Sequence, residues 1–256
     1  MPVVEYHLAW WRRWLARPLI RIVLRLIFYT LSPVKITGKE NVPLRSPYIA
    51  VINHVSLFEA PFVGAFWPEQ LEALGASDVW ERPGQNILAR LWGGIPVHRG
   101  DYDRAAVDGV LSALRGGSPL LIAPEGGRSH APGLRQAKPG VSYIAEQSGV
   151  PVIPVAIVGT TDDFWQRAST GKRPQLEMHI GKPIQLPPVE GKGAERRDSR
   201  QRNADLVMRV IAGLLPEDYR GFYAENAILP GASRRCSAAR PSAIRIAART
   251  AIRSAS

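Results

Sequence analysis

The stretch Val51-Ile52-Asn53-His54-Val55-Ser56-Leu57-Phe58-Glu59 sets an imidazole and a carboxylate directly behind an apolar run. His54 is open to three roles: a satisfied core histidine, a metal ligand, or a general base with Glu59 as its orienting partner. Five residues separate the two, about 140° around a helix, so they cannot share a helix face. They meet only if the chain turns at the end of a strand, with His54 in the loop and Glu59 in the helix that follows. In that geometry the carboxylate bonds one imidazole nitrogen and fixes the tautomer. The other nitrogen can then take a proton from a substrate hydroxyl.

A metal centre fits the spacing less well. The zinc helix needs two histidines four apart, and His7, His54, His98, His130 and His179 offer no such pair. Cys236 is the single cysteine, which excludes an intramolecular disulfide framework and a cysteine-cluster zinc site and suits a reducing environment. No G-x-S-x-G elbow, P-loop or G-x-G-x-x-G is present, which argues against a serine hydrolase, a nucleotidase or a dinucleotide enzyme.

Two arginines sit in glycine-flanked turns, Arg99 in "HRG" and Arg128 in "GGRS". A guanidinium beside free backbone amides can cradle a phosphate, although either alone is also an ordinary solvated arginine. Glu125, between Pro124 and Gly126, can orient Arg128 or Arg99, bond a substrate hydroxyl, or cap the next turn.

The elements that must position these residues alternate in type. "YIAVIN" reads as a buried strand ending at His54, and Leu57 to Phe66 as a short apolar helix closed by Trp67-Pro68. "EALGASDVW", "IPVHRG", "SPLLIAPEGGRS", "VPVIPVAIVG" and "QLEMHIGKPI" carry further strands. "QNILARLWGG", "DRAAVDGVLSALRGG", "PGVSYIAEQSG" and "RNADLVMRVIAGLLPEDYRGFY" read as helices. The expected fold class is α/β, a sandwich with a largely parallel or mixed sheet flanked by helices. The reactive loops "NHVSLFE", "PVHRG" and "PEGGRS" then leave strand ends, where ligands bind in such sheets.

Charge divides the chain into three parts. Residues 1–45 carry eight Lys/Arg against two acids, residues 231–256 carry six Arg against none, and the middle is balanced. In the amino-terminal stretch, arginines 13, 17, 21 and 25 recur every fourth residue among Trp10, Trp11, Trp14, Leu15, Leu19, Ile22, Val23, Leu26 and Ile27. That pattern predicts amphipathic helices, divided at Pro18, lying on a membrane with Trp at headgroup depth and Arg reaching phosphates. An ordinary amphipathic helix docked on its own domain is the alternative. The longest uncharged run, Leu26 to Val34, is too short to span a bilayer, and arginines interrupt what a cleavable signal peptide would keep apolar. The expected organisation is a membrane-association segment at 1–33, a catalytic domain at 34–230, and a basic tail at 231–256 that is disordered or membrane-associated.

Taken together, the motifs resemble those of the glycerolipid acyltransferase family, whose best-known members are the 1-acylglycerol-3-phosphate O-acyltransferases. Its Asn-His-x4-Asp block is similar to Asn53-His54 with Glu59 in the acid position, and its Pro-Val, Arg-Gly block to "GGIPVHRG" at 93–100. Its Pro-Glu-Gly-x-Arg-Ser block resembles "PEGGRS" at 124–129, and its fourth block "VPVIPVAI" at 150–157, with "KPG" at 138–140 resembling the Lys-x-Gly before it. Glu59 stands where the family usually has aspartate, one methylene shorter, and Gly127 where it usually has threonine.

The resemblance implies acyl transfer from a thioester, acyl-CoA or acyl carrier protein, to the free hydroxyl of a lysophosphatidate-like acceptor. It implies His54 as base, Glu59 as orienter, and Arg99, Glu125, Gly126 and Arg128 around the acceptor phosphate. No cofactor and no metal are implied, and no nucleic-acid partner. The expected location is peripheral or monotopic at the cell membrane, on its cytoplasmic face. A different acceptor, such as glycerol 3-phosphate or another lysolipid, remains an alternative, as does a non-catalytic basic membrane-binding relative.

Overall fold

A computed structural model describes residues 6–98 and 103–230. The expected basic tail at 231–256, with Cys236, and Arg99 with its three following residues lie outside the described residues. Among the described residues seven strands form one sheet: β1 Val34–Thr37, β2 Ile49–Ile52, β3 Glu72–Ala76, β4 Ile95–Val97, β5 Leu120–Ile122, β6 Val152–Val158 and β7 Leu176–Ile180. Their spatial order is β1-β7-β6-β2-β5-β3-β4, and every neighbouring pair is parallel except β6 and β7. The expected α/β sandwich with a largely parallel sheet is what forms.

The connections are helical: α2 Glu59–Phe66, α3 Gln85–Trp92, α4 Arg104–Arg115, α5 Gly140–Ser148, α6 Phe164–Ser169 and α7 Gly193–Leu214, with α1 Arg17–Leu31 ahead of the sheet. Strands this apolar must be covered on both faces. One core layer joins Ile49, Val51, Leu120 and Val152 to Val110 and Leu114 of α4, Ile144 of α5 and Val207 and Ile211 of α7. The other joins Ala50, Ile52, Ile153 and Val155 to Phe28 of α1, Phe62 and Phe66 of α2 and Phe164 of α6. The alternation along β2 and β6 therefore divides the two layers residue by residue.

The amino-terminal segment differs from expectation in two respects. It is one continuous helical run from Trp10 to Leu31, not two helices separated at Pro18. A π-helical turn at Arg12–Ala16 precedes α1, and Arg17 N–H bonds back to Arg12 O, so the widened turn receives the proline within the first two residues of α1. Second, three of the four arginines of the stripe, Arg17, Arg21 and Arg25, face the protein, while Arg13 is exposed. Arg25 Nε donates to Ala65 O at 2.7 Å, Arg21 donates to Trp67 O, and Arg17 Nε donates to Trp92 O at 2.8 Å. Arg17 is 1% exposed and also pairs with buried Glu72, Nη1 to Oε1 at 3.0 Å and Nη2 to Oε2 at 2.5 Å. Arg21 and Arg25 supply donors to carbonyls at the end of α2, which that helix cannot satisfy itself. The apolar side is left outward: Trp10, Trp14, Leu15, Leu19, Ile22, Val23 and Leu26 are all exposed. Among the described residues, no helix is long and apolar enough to cross a membrane.

Candidate active site

Three neighbouring strands, β6, β2 and β5, end side by side, and the chain leaves β2 toward one side of the sheet and returns through β6 on the other. Such a reversal opens a crevice at the carboxyl ends. The loops after β2, β5 and β6 supply His54, Glu125 and Thr160 respectively. That is how blocks a hundred residues apart meet.

The loop after β2 is anchored at its first residue. Asn53 is buried and its amide replaces a strand peptide against β6: Nδ2 donates to Ile157 O at 2.9 Å, and Ile157 N donates to Oδ1 at 2.7 Å. The next residue, His54, is held by its backbone on both sides. Its N–H donates to Glu125 Oε1 at 2.8 Å, and its carbonyl accepts from Ser129 N at 2.9 Å.

Glu59 opens α2 and reaches back over the turn. Its carboxylate is fully buried and accepts from Ser56 N at 3.0 Å on both oxygens, from Ser56 Oγ at 3.2 Å and from Thr160 Oγ1 at 2.6 Å. Ser56 Oγ in turn accepts from Phe58 N at 3.0 Å. Ser56 and Glu59 thus tie the turn ahead of α2 in both directions, with Phe58 at the N-cap of the helix. A carboxylate so supplied with donors can be buried ionised, since the lost hydration is replaced group by group.

The remaining acceptor position faces His54: Nδ1 lies 3.0 Å from Glu59 Oε2. A carboxylate only accepts, so Nδ1 carries the proton and Nε2 presents a lone pair. The His54 side chain is 21% exposed, enough to meet a ligand while its partner stays dry. Of the three roles open to His54, an imidazole oriented by a carboxylate is the one this geometry builds. Among the described residues no three His, Cys, Asp or Glu side chains converge to hold a metal ion.

Glu125 lies beneath the site instead of projecting into it. It is 2% exposed, with Oε1 on His54 N–H and Oε2 on Arg135 N–H at 2.9 Å. Burial pushes its carboxyl above the ordinary carboxylate value, and the two backbone donors pull in the opposite direction. It thus clamps the loop after β2 to the loop after β5, and orients neither Arg128 nor a described residue of the "PVHRG" block. Gly126 follows at φ +68°, a backbone conformation that favours glycine, and Lys138 crosses close above it, 2.7 Å from where a Cβ would stand. Beside Gly127 lies the Arg135 guanidinium, 3.3 Å from where a Cβ would begin, and its Nη1 donates to Arg128 O at 3.3 Å. Arg128, Arg135 and Lys138 form no ion pair among the described residues.

The block containing Arg99 stands apart. It follows β4, the sheet edge three strands from β2, roughly 14 Å away at ordinary strand spacing. His98, its last described residue, points Nδ1 at Asp103 Oδ2, 2.9 Å away, and Asp103 caps α4 through Ala106 N. A third imidazole–carboxylate pair rims the central site: His130 Nδ1 to Asp162 Oδ2 at 2.7 Å, with His130 in the left-handed region at φ +63°.

Ser56, Thr160 and Arg135 do not stand out in the sequence as site residues, and Asn53 and Lys138 do so only as parts of motifs. Ser-x-x-Glu ahead of an apolar helix is the available signal for Ser56. Thr160 and Arg135 carry none, because only the sheet order brings their loops together.

The Acyltransferase family model matches residues 33–158. A lyso-ornithine lipid O-acyltransferase from Pseudomonas aeruginosa is 32% identical over 197 residues, 70% of this chain and 72% of that protein. A 1-acyl-sn-glycerol-3-phosphate acyltransferase from Borreliella burgdorferi is 29% identical over 156 residues, 57% of this chain and 59% of that protein. The crystal structure of PlsC, the 1-acyl-sn-glycerophosphate acyltransferase from Thermotoga maritima, superposes with a TM-score of 0.54 at 24% identity, covering 75% of this chain and 78% of that one. At that identity the likeness concerns the fold.

Proposed function

The chain belongs to the Acyltransferase family, and on that premise we propose that it moves a fatty acyl group from a thioester, acyl-CoA or acyl carrier protein, to the free hydroxyl of a 1-acylglycerol 3-phosphate. The observation that carries this is the His54–Glu59 pair, on a loop whose backbone is bonded to the "PEGGRS" turn through Glu125 and Ser129.

His54 Nε2 removes the acceptor's hydroxyl proton as the oxygen attacks the thioester carbonyl. The Glu59 carboxylate stabilises the imidazolium that forms, without taking the proton itself. Charge on the carbonyl oxygen needs donors, and the N–H groups of Gly127 and Arg128 donate to no acceptor among the described residues. The tetrahedral intermediate collapses with cleavage of the C–S bond, and the imidazolium returns its proton to the departing thiolate. No enzyme nucleophile is needed. Arg128, Lys138 and Arg135 hold the acceptor phosphate, while Glu125 and Gly126 shape the turn that carries Arg128; Arg99 joins them only if the loop after β4 reaches across the strand ends.

The outward apolar side of the Trp10–Leu31 run supports work at a membrane surface, peripheral or monotopic on the cytoplasmic face. There the enzyme meets anionic amphiphiles without drawing them through water. On this reading the Trp10–Leu31 run docks by Arg17, Arg21 and Arg25 and turns its tryptophans toward lipid.

A second acceptor class has its own support. The relative matched over 197 residues is named for a lyso-ornithine lipid, and Asp162 and Asp163 follow Thr160 at the rim. Carboxylates there suit an ammonium-bearing headgroup.

The test is thiol release from palmitoyl-CoA on liposomes, with lysophosphatidate, lyso-ornithine lipid or no acceptor, for wild type and His54→Ala. Release that depends on lysophosphatidate and disappears in the variant supports the proposal. Release that requires lyso-ornithine lipid transfers it to the second acceptor. Equal inactivity of both proteins with every donor and acceptor removes the assignment.

A further inference from the structure

At the opposite edge of the sheet, where β2, β3 and β5 begin, the loops ahead of these strands and the first turns of the amino-terminal helix enclose a cleft of about 550 Å³. Strands of four residues separate this edge from His54 by roughly 13 Å or more. It therefore cannot be the acceptor pocket.

Its charge is unusual. Arg13, Arg17, Arg21 and Arg45 all line it, and of these only Arg17 has a carboxylate partner among the described residues, Glu72. Arg21 is tied to a carbonyl, Trp67 O, and Arg45 contributes only its backbone N–H to Glu69, at 3.3 Å. Glu69 itself accepts from the Tyr48 hydroxyl at 2.8 Å. Three arginines whose guanidiniums form no ion pair among the described residues thus line one concavity, together with the Glu69 and Glu72 carboxylates. Arg45 is held there at φ +64°, a backbone conformation costly for any residue with a Cβ and found where surroundings or function over-determine it.

Two more features describe the ligand that suits this cleft. Gln70 donates from Nε2 to Arg13 O at 2.8 Å, but its buried Oε1 has no hydrogen-bond partner. A buried acceptor left alone is costly, and a turn of the side chain toward the cleft lets a ligand donor satisfy it. Trp14, 70% exposed, stands among the lining residues on the helix whose apolar side faces outward. Tryptophan at such a place seats itself at headgroup depth.

We propose that this cleft is a second, non-catalytic site for the headgroup of an anionic glycerophospholipid drawn from the bilayer. The phosphate engages Arg13, Arg21 and Arg45, and a headgroup hydroxyl or ammonium donates to Gln70 Oε1. The inference rests on the reading that the helix faces a bilayer, and adds to it a defined lipid held away from the chemistry.

The test is sedimentation of the whole protein with vesicles of phosphatidylcholine alone and of phosphatidylcholine mixed with phosphatidylglycerol. An Arg13→Gln/Arg45→Asn double variant is compared with wild type, since asparagine tolerates the left-handed backbone at 45. Arg197→Gln/Arg202→Gln, two exposed positions on α7, removes the same charge elsewhere. The cleft variant is expected to lose about 10- to 30-fold of the extra affinity for anionic vesicles. Its binding to neutral vesicles and its acyl transfer in neutral detergent should equal wild type. An equal loss in the α7 variant reduces the effect to net charge and overturns the site. Abolition of the extra affinity by millimolar glycerol phosphate, with thermal protection of wild type but not of the cleft variant, makes the ligand a soluble phosphate and overturns the lipid assignment. Wild type that binds both vesicles equally removes this inference alone. Wild type that binds neither removes the bilayer reading as well.

Discussion

Restoring the aspartate that the family usually carries at position 59 should impair this protein. Glu59→Asp withdraws the carboxylate by one C–C bond, about 1.5 Å. The hydrogen bonds it now makes, 2.6 Å to Thr160 Oγ1 and 3.0 Å to His54 Nδ1 and Ser56 N, would stretch beyond bonding length on at least one side. Retreat of the α2 start cannot repair all of them, because Phe62 and Phe66 on that helix are locked in the aromatic layer with Phe28. If the bond to His54 breaks, the imidazole tautomer is no longer fixed, and a displacement of this size costs on the order of 100-fold in turnover. If the bond to Thr160 or Ser56 breaks, a buried donor remains unpaired, at about 2 kcal/mol. For a chain of this size that corresponds to a Tm lower by about 4–8 °C. Steady-state acyl transfer and thermal unfolding, measured on the same preparation, separate the two. Turnover within twofold of wild type at an unchanged Tm would refute the argument that the glutamate's reach sets the position of the imidazole.

Other residues of the same framework give sharper single effects. Thr160→Val removes a 2.6 Å donor from Glu59 while conserving shape, and kcat should fall about tenfold with KM for the acceptor unchanged. Asn53→Ala leaves both the N–H and the C=O of Ile157 unpaired in the core, a loss of about 3 kcal/mol read as a lower denaturant midpoint. Arg17→Met leaves buried Glu72 with the Tyr6 hydroxyl but no cation and should cost about 3–5 kcal/mol, while exchanging both residues for apolar ones should recover part of it. Asp103 is held down at about 2 by the backbone N–H groups of His98 and Ala106 and by the His98 imidazole. Its folded value lies below its unfolded one, so its stabilisation is present above about pH 4 and lost as pH falls toward 2. Acid titration of thermal stability should show that loss in wild type and not in Asp103→Asn.

Alternating patterns made the sheet and its helices legible, because apolar runs bounded by glycine and proline turns admit few other arrangements. His54 and Glu59 were legible as a pair, since a strand end is the geometry that lets residues five apart meet. Glu125 was legible only as important: nothing in "PEGG" says that its carboxylate faces two backbone amides beneath the site. The direction of the arginine stripe was illegible for a deeper reason. A period of four fixes which residues share a face, but not which face the rest of the molecule will cover. Here the carbonyls ending α2 and the Glu72 carboxylate were the stronger claim on the guanidiniums, and the tryptophans took the outside.

That inverted docking has a consequence for the order of events during synthesis. Arg17 finds Trp92 O across 75 residues of chain, and Arg21 and Arg25 wait for Trp67 and Ala65. At about 5–20 residues per second, roughly four to fifteen seconds of translation separate the helix from its last protein partner. Through that interval a basic, tryptophan-rich segment is on offer with its own domain not yet made, and an anionic bilayer is the one partner already complete. On the proposed bilayer reading, the chain meets lipid before its own domain is complete and folds against it afterwards.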